Sequence, residues 1–524
     1  DVYKRQDMPQ FTGLFWFVIL PLLSAQHEPL HRAIDRLILA NQSKGAVPPA
    51  PRSDDAEFLR RIYLDLAGTI PTASEARTFL DDPSPGKRAD LIERLLQSRS
   101  FAEHWASVLD DLFMDRRPEK HIPQAEWRKY LVDSLAANKP YDVLVTEILS
   151  ADGTHPTLRA PAKFFLDREG DLHLWTRDIG RVFLGMNLAC CQCHDHPLVH
   201  SYRMEHYYGL FAFLNRTEFS TEWKPVALGE KAEGDATYVS VFDPSKTVKT
   251  ALPHVPGAEP IVEPTLEKGQ EYRVSPAKGV RPVPVWSRRS WLASSVTQSR
   301  QFARTLANRL WARMLGRGLV HPVEFDHPGN PPSHPFVLDR LTEEVVARKF
   351  DLRSILGEIA RSETYQRSSK WEGEREPERF IVAAIRPLDS ETLARSLLAA
   401  TGCPEPERQM DNVRRYFLPT FSAAPGESDA VFRASLDQVL SLSNGFLLRD
   451  WLTPRPGSLT DRLHKMESVS AIADELFLSV LTRRPTTEEI QAVEDYLKGR
   501  NDREIALQEL AWALLTSSEF RFNH

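Results

Sequence analysis

Cys190-Cys191-Gln192-Cys193-His194 is the densest run of reactive side chains in this sequence. The chain has four cysteines in 524 residues, and three of them fall here. Two thiols three residues apart, Cys190 and Cys193, followed directly by His194, make C-x-x-C-H. That arrangement anchors a c-type haem: each thiol forms a thioether with one vinyl group, and the histidine reaches the iron from the proximal face. A sixth ligand would come from Met204, His206 or His200. Met/His ligation raises the potential and suits electron transfer, whereas an open position suits small-molecule chemistry. The same residues fit a second chemistry. Cys190 and Cys193 with His194, His196 or His200 have the donor types for tetrahedral zinc, with Asp195 orienting a histidine from behind. A third reading is a structural or redox thiol site, with Cys191 paired with a neighbour or with Cys403. Neighbouring cysteines such as Cys190 and Cys191 bridge one another poorly.

These residues need elements to hold them. Residues 27–216 read as a mostly helical domain. Phe58, Leu59, Ile62, Tyr63 and Leu66 recur at helical spacing, and Thr72 with Glu75 predicts a capping box after the Gly68–Pro71 break. Leu91, Ile92, Leu95 and Leu96 form another stripe, as do Trp127, Tyr130, Leu131 and Leu135. Around the cysteines, Phe183, Leu184 and Leu188 precede the motif, and Tyr207, Leu210, Phe211 and Phe213 follow it. They are either the apolar cover a haem needs or the core of a helical bundle. Residues 217–286 are rich in Pro, Gly, Val and Thr, with a β-like run at Thr237–Phe242 and prolines that preclude long helices. They read as a small β-rich or irregular connector. From 287 to 524 helical patterns return, including Phe302, Leu306, Leu310 and Met314 on one face. The expected fold is mainly α: two helical domains joined by that connector.

The compartment bears on the chemistry. The run Phe11–Leu23 is apolar but short for a membrane span, and small residues follow it at Ser24-Ala25. Residues 8–25 therefore read as a secretory signal peptide, with an uncleaved anchor as the alternative and Asp1–Gln6 as an appended piece. No other segment is apolar enough to span a bilayer, so the mature chain carries no transmembrane segment. The expected location is exported, periplasmic or at the cell surface, which is where covalent haem attachment occurs. A composition of 42% hydrophobic and 26% charged residues with net charge -6 gives no reason to expect nucleic acid as a partner.

Other chemistry is sparse. There is no G-x-G-x-x-G after a strand, no P-loop and no G-x-S-x-G. Arg304, Arg309, Arg313 and Arg317 lie close together on one helical face, which would dock an acidic partner or a haem propionate, or else pair internally. His327 and His334 sit in Pro-rich loops, where histidines commonly satisfy turns. Asp110-Asp111 and Asp54-Asp55 are sequence neighbours and do not share a helix face.

Taken together, several stretches carry a family likeness. They are Ile34–Ala40, Leu59–Thr72, Asn138–Asp142, Cys190–Pro197 and Tyr207–Phe213 in the first half. In the second they are Asn308–Trp311, Gly316–Val320, Pro332–Pro335, Ser362–Gln366, Thr482–Thr486 and Ser517–Phe520. With these the chain resembles the planctomycete-type cytochrome c-like proteins built from two paired domains of unknown function. The resemblance covers nearly the whole mature chain. It implies an exported mono-haem c-type protein that transfers electrons or serves as the redox subunit of a larger system, with a redox partner protein. Zinc-stabilised binding or scaffolding without redox activity is the alternative.

Overall fold

The apolar stripes become buried helix faces. The computed structural model describes residues 28–41, 47–403, 406–422 and 435–524; the expected signal segment at 8–25 lies outside the described residues. Helix α1 (Leu30–Ala40) is followed by α2 (Asp55–Ala67), where Phe58, Leu59, Ile62 and Leu66 are fully buried. The capping box forms as the sequence predicts: Glu75 N donates to Thr72 Oγ1 at 3.3 Å, and Thr72 N donates to Glu75 Oε2 at 2.9 Å. It opens α3 (Ala73–Asp81). Then come α4 (Lys87–Leu96), α5 (Arg99–Met114), α6 (Gln124–Ala136), α7 (Tyr141–Ser150), α8 (Lys163–Leu166), α9 (Leu172–Leu184) and α10 (Met204–Leu214).

The connector holds three antiparallel pairs. Strand β1 (Thr217–Ser220) pairs with β2 (Ala227–Glu230), β3 (Ala236–Tyr238) with β4 (Lys249–Ala251), and β5 (Tyr272–Val274) with β6 (Val283–Pro284). The strands are short because prolines interrupt the ladder donors. Of the expected run Thr237–Phe242, only its first two residues are in a strand. Helices resume with α11 (Arg288–Thr297), α12 (Arg300–Leu315), α13 (Pro335–Ala347), α14 (Leu352–Arg361) and α15 (Ser390–Thr401). Later helices include Val469–Leu481 and Arg503–Leu515. The fold is mainly α, with only small two-stranded sheets among the described residues. No described helix is long and apolar enough to cross a membrane.

Two apolar cores result. The larger takes side chains from α1 through α14, on both sides of the connector. The second is built from α15 and later helices, with Leu64 of α2 and Ile70 beside it. Helix α2 joins the two through buried charge. Arg61 donates to Glu57 Oε1 at 2.5 Å and to the carbonyls of Tyr365 and Arg367 at 2.7 and 2.8 Å. Asp65 accepts from Tyr365 Oη at 2.8 Å, and from Arg386 and Asn523 at 2.9 Å. Arg60 donates to Phe520 O at 2.6 Å. Each charge is out of water, so its partners are what make it tolerable there.

Arg61→Met should therefore lower the unfolding free energy by roughly 3 kcal/mol or more, because Glu57 is left buried and unpaired. Lys129→Ala, which removes an exposed i,i+4 pair with Asp133, should change it by less than about 0.5 kcal/mol. Denaturant titration compares them. His104 on α5 gives a pH signature. It is buried, and burial pushes its pKa down to about 3. The unfolded histidine protonates below about pH 6.5, so stability held by neutral His104 is full above that pH and drains as pH falls toward the folded value. The stability advantage of the parent protein over His104→Gln should narrow between pH 7 and pH 4.

Candidate functional site

The chain reaches the cysteines from α9, which ends at Gly185 in the left-handed region, φ 63°. Only glycine suits that turn: a Cβ would be strained and would press on Thr305 Oγ1 at 3.0 Å. The strand-like stretch that follows is pinned to the 324–326 segment, with Asn187 N donating to Glu324 O at 2.9 Å and Asp326 N to Gly185 O at 3.1 Å. Leu188 anchors in the core, and Ala189–Gln192 form a single 3-10 turn. In such a turn, residues i and i+3 eclipse. Cys193, at the end of that turn, donates its N–H to Cys190 O at 3.4 Å, which ties the two cysteines across one turn of backbone. Both are exposed. Cys191 leaves in another direction and is fully buried in the larger core, where desolvation pushes its thiol up to about 12. None of the four cysteines is in a disulfide; the expected alternative of a Cys191–Cys403 bridge is not formed, and the two residues sit in different cores.

The two histidines of the motif differ in tautomer. His194 Nδ1 lies 2.7 Å from Asp195 O. A carbonyl accepts only, so Nδ1 carries the proton and the Nε2 lone pair is free. His196 is the reverse. Its Nδ1 accepts backbone N–H bonds from Leu198 at 3.2 Å and Val199 at 3.0 Å, so in the neutral ring the proton is on Nε2. Ligation by His196 would require breaking both bonds or moving that proton. Asp195 does not orient a ring through its side chain; Oδ1 accepts from Met204 N at 2.8 Å and favours the start of α10. Among the described residues, no three His, Cys, Asp or Glu side chains are grouped as a metal site.

Of the two readings of the apolar surroundings, the structure takes the helical core. Phe183, Leu184, Leu188, Tyr207, Leu210 and Phe213 are buried in the bundle core, and Phe211 stacks on His173. The apolar surface that stays open beside the motif comes from Leu198, 84% exposed, and from the loop after β3: Val241 at 65% and Phe242 at 75%. That loop is tied to the site. Val241 N donates to Cys193 O at 3.0 Å, and the Phe242 ring lies 5.0 Å from that of His194. Tyr208 fixes both sides, donating to Gln192 O at 2.9 Å and stacking on Tyr238 at 4.5 Å. Apolar surface gathered at one functional motif is informative where scattered exposed residues are not. Neither Cys190 nor Cys193 lines the cleft at Trp286 and Trp291 or the one between α4 and α14.

The candidate sixth ligands lie apart in character. Met204 is buried, His200 is exposed, and His206 is half-buried with Nδ1 unpartnered. Burial lowers the His206 pKa, with the charge of His254 adding to it. His254, from the connector, was not among the residues the sequence singled out. Its ring lies against Gly209, where a Cβ would come within 2.4 Å of it, so the bare glycine makes the room. Pro253-His254-Val255-Pro256 carried no spacing that would reveal this. One pattern passes at face value, His27-Glu28-Pro29-Leu30-His31 as H-E-x-x-H. It does not lie on one helix: α1 starts at Leu30, Glu28 pairs with Arg36, and His31 Nδ1 bonds Glu358 at 2.8 Å. His27 is outside the described residues. Of the four arginines expected on one helical face, Arg304 pairs with Asp326, Arg313 with Asp389 and Arg309 with the Arg181 carbonyl, while Arg317 lies beyond the end of α12. His327 accepts from Gly329 N, and His334 is buried against Phe380.

With that geometry in view, two family models match. Residues 33–219 match PSCyt2, a protein of unknown function (DUF1549), and residues 288–436 match PSD1, a protein of unknown function (DUF1553). Two domains of unknown function thus stand in series, one holding the cysteine motif. No curated protein and no solved structure matches the chain.

The thiol geometry predicts that iodoacetamide labels Cys190 and Cys193 in the folded protein and reaches Cys191 and Cys403 only in denaturant. Peptide mass spectrometry reads the four sites separately. Equal labelling of Cys191 in the folded state would contradict its burial.

Proposed function

We propose that this chain is an exported mono-haem c-type cytochrome-like protein, with Cys190 and Cys193 as thioether anchors and His194 as the proximal ligand. One observation carries the reading: two exposed thiols are tied across one turn of backbone, and the Nε2 of the adjoining His194 has no partner among the described residues. Attachment adds the S–H of each thiol across one vinyl C=C, so no atom is lost and no oxidant is consumed. When bound, the haem supplies one-electron chemistry, which suits electron transfer to a partner protein or a redox subunit of a larger assembly.

The chain's own residues have defined parts in this reading. The backbone carbonyl of Asp195 holds His194 by its Nδ1 proton, which fixes the ring and leaves Nε2 as the ligating atom. Phe242 and Val241 offer apolar surface where water would otherwise reach the site. Buried Cys191 is kept from competing with its neighbours. Zinc at Cys190, Cys193 and His194 is the rival; the engaged Nδ1 of His196 argues against that histidine as a fourth ligand.

The test is a pyridine haemochrome spectrum of protein made with a c-type maturation system. A stoichiometric c-type band is expected, retained in Cys191→Ala and altered in Cys190→Ala and Cys193→Ala. Folded protein with no covalent haem and one equivalent of zinc would overturn the reading. Phe242→Ala should lower the midpoint potential, because water admitted to the site favours the more highly charged ferric state.

A further inference from the structure

A cleft of about 400 Å³ opens where the connector meets the start of α11, away from the cysteines. Its volume falls within the range of small-molecule sites. Trp286 and Trp291 line it, with ring centroids 6.3 Å apart and planes inclined by 32°. Trp291 is 46% exposed.

Most of the charge in the cleft is already used. Arg281 donates to Asp152 Oδ2 at 3.0 Å and to Leu228 O at 2.9 Å. Arg289 donates to the carbonyls of Ala151 and Ser150 at 2.7 and 3.0 Å. The first N–H groups of α11 would make a ready phosphate site. Here Glu230 takes two of them, from Arg288 at 2.7 Å and Arg289 at 3.4 Å, and Ser287 Oγ takes the next, from Ser290 at 3.1 Å. A phosphate therefore finds its donors taken. Strand β6 is bonded on one side to β5, and the residue before it, Pro282, accepts from Glu230 N at 3.2 Å on the other, which leaves this wall little edge for an extended peptide. Two indoles remain, and one cation: Arg273 lines the cleft, is exposed, and has no partner among the described residues.

We propose that this cleft binds an acidic saccharide, with a pyranose ring lying against the indoles of Trp286 and Trp291 and its carboxylate on Arg273. An indole presents a flat apolar face and a single N–H donor at its edge. A pyranose has the matching form: a C–H face with hydroxyls around the rim. A guanidinium fork fits a planar carboxylate through two parallel hydrogen bonds. One free cation suits one negative charge per ring. The proposal does not depend on haem.

The full chain is titrated with trigalacturonic acid and with its neutral methyl ester, followed by tryptophan fluorescence and calorimetry. Saturable binding of the acid is expected, with the ester weaker by about tenfold or more. Arg273→Gln should bring the acid to the level of the ester. Trp291→Ala should weaken both by about tenfold, with an unchanged circular dichroism spectrum. No saturable response to the acid, equal affinity for acid and ester, or variants that bind like the parent would each overturn the proposal.

Discussion

The geometry of the cysteine site depends on one constraint, the burial of Cys191 beneath a 3-10 turn. Three adjacent-looking thiols are sorted by that turn into two kinds. A backbone bond from Cys193 N to Cys190 O ties the two exposed thiols across it, and the middle thiol, sunk into the core, keeps the turn from rotating. The Gly185 turn and the pairing of 186–187 with 324–325 hold the turn from one side, and Tyr208 holds it from the other. The same packing leaves His194 on the surface with its ring fixed through one nitrogen. The arrangement is a property of the whole larger core, because the 324–326 segment comes from beyond the connector.

Much of this was legible in the sequence where local rules govern. The helical stripes, the Thr72–Glu75 capping box and the proline-broken connector all follow from spacing and dihedral preference. The C-x-x-C-H run stands out by residue type alone. What spacing could not separate were roles set by tertiary neighbours. Phe183, Leu188 and Tyr207 satisfy a helical period equally well whether they face a cofactor or a core, and they face the core. Phe242 lies some fifty residues beyond the cysteines in a loop with no periodic pattern, yet its ring meets His194. His194 and His196 look interchangeable in sequence. Their difference arises from which backbone group reaches Nδ1, and no spacing rule encodes that. The arginine face of α12 likewise gave no sign of the carboxylates it meets on other segments.

The fold also joins its two cores through charge rather than apolar contact alone. Buried charges on α2 hold the larger core to the second one and to the chain's last strand, at Phe522–Asn523. Removing a single partner there strands the others away from water, so the network is intolerant of change in a way that the exposed ion pairs are not.

Peptide mapping after acid–acetone extraction tests the central claim most directly, because extraction removes any haem held without covalent bonds. The account predicts that the proteolytic peptide spanning Cys190 to His194 carries one porphyrin through both outer sulfurs, with the Cys191 thiol unmodified. A peptide recovered with all three thiols free, from protein that folded in the presence of a functioning attachment system, would contradict it.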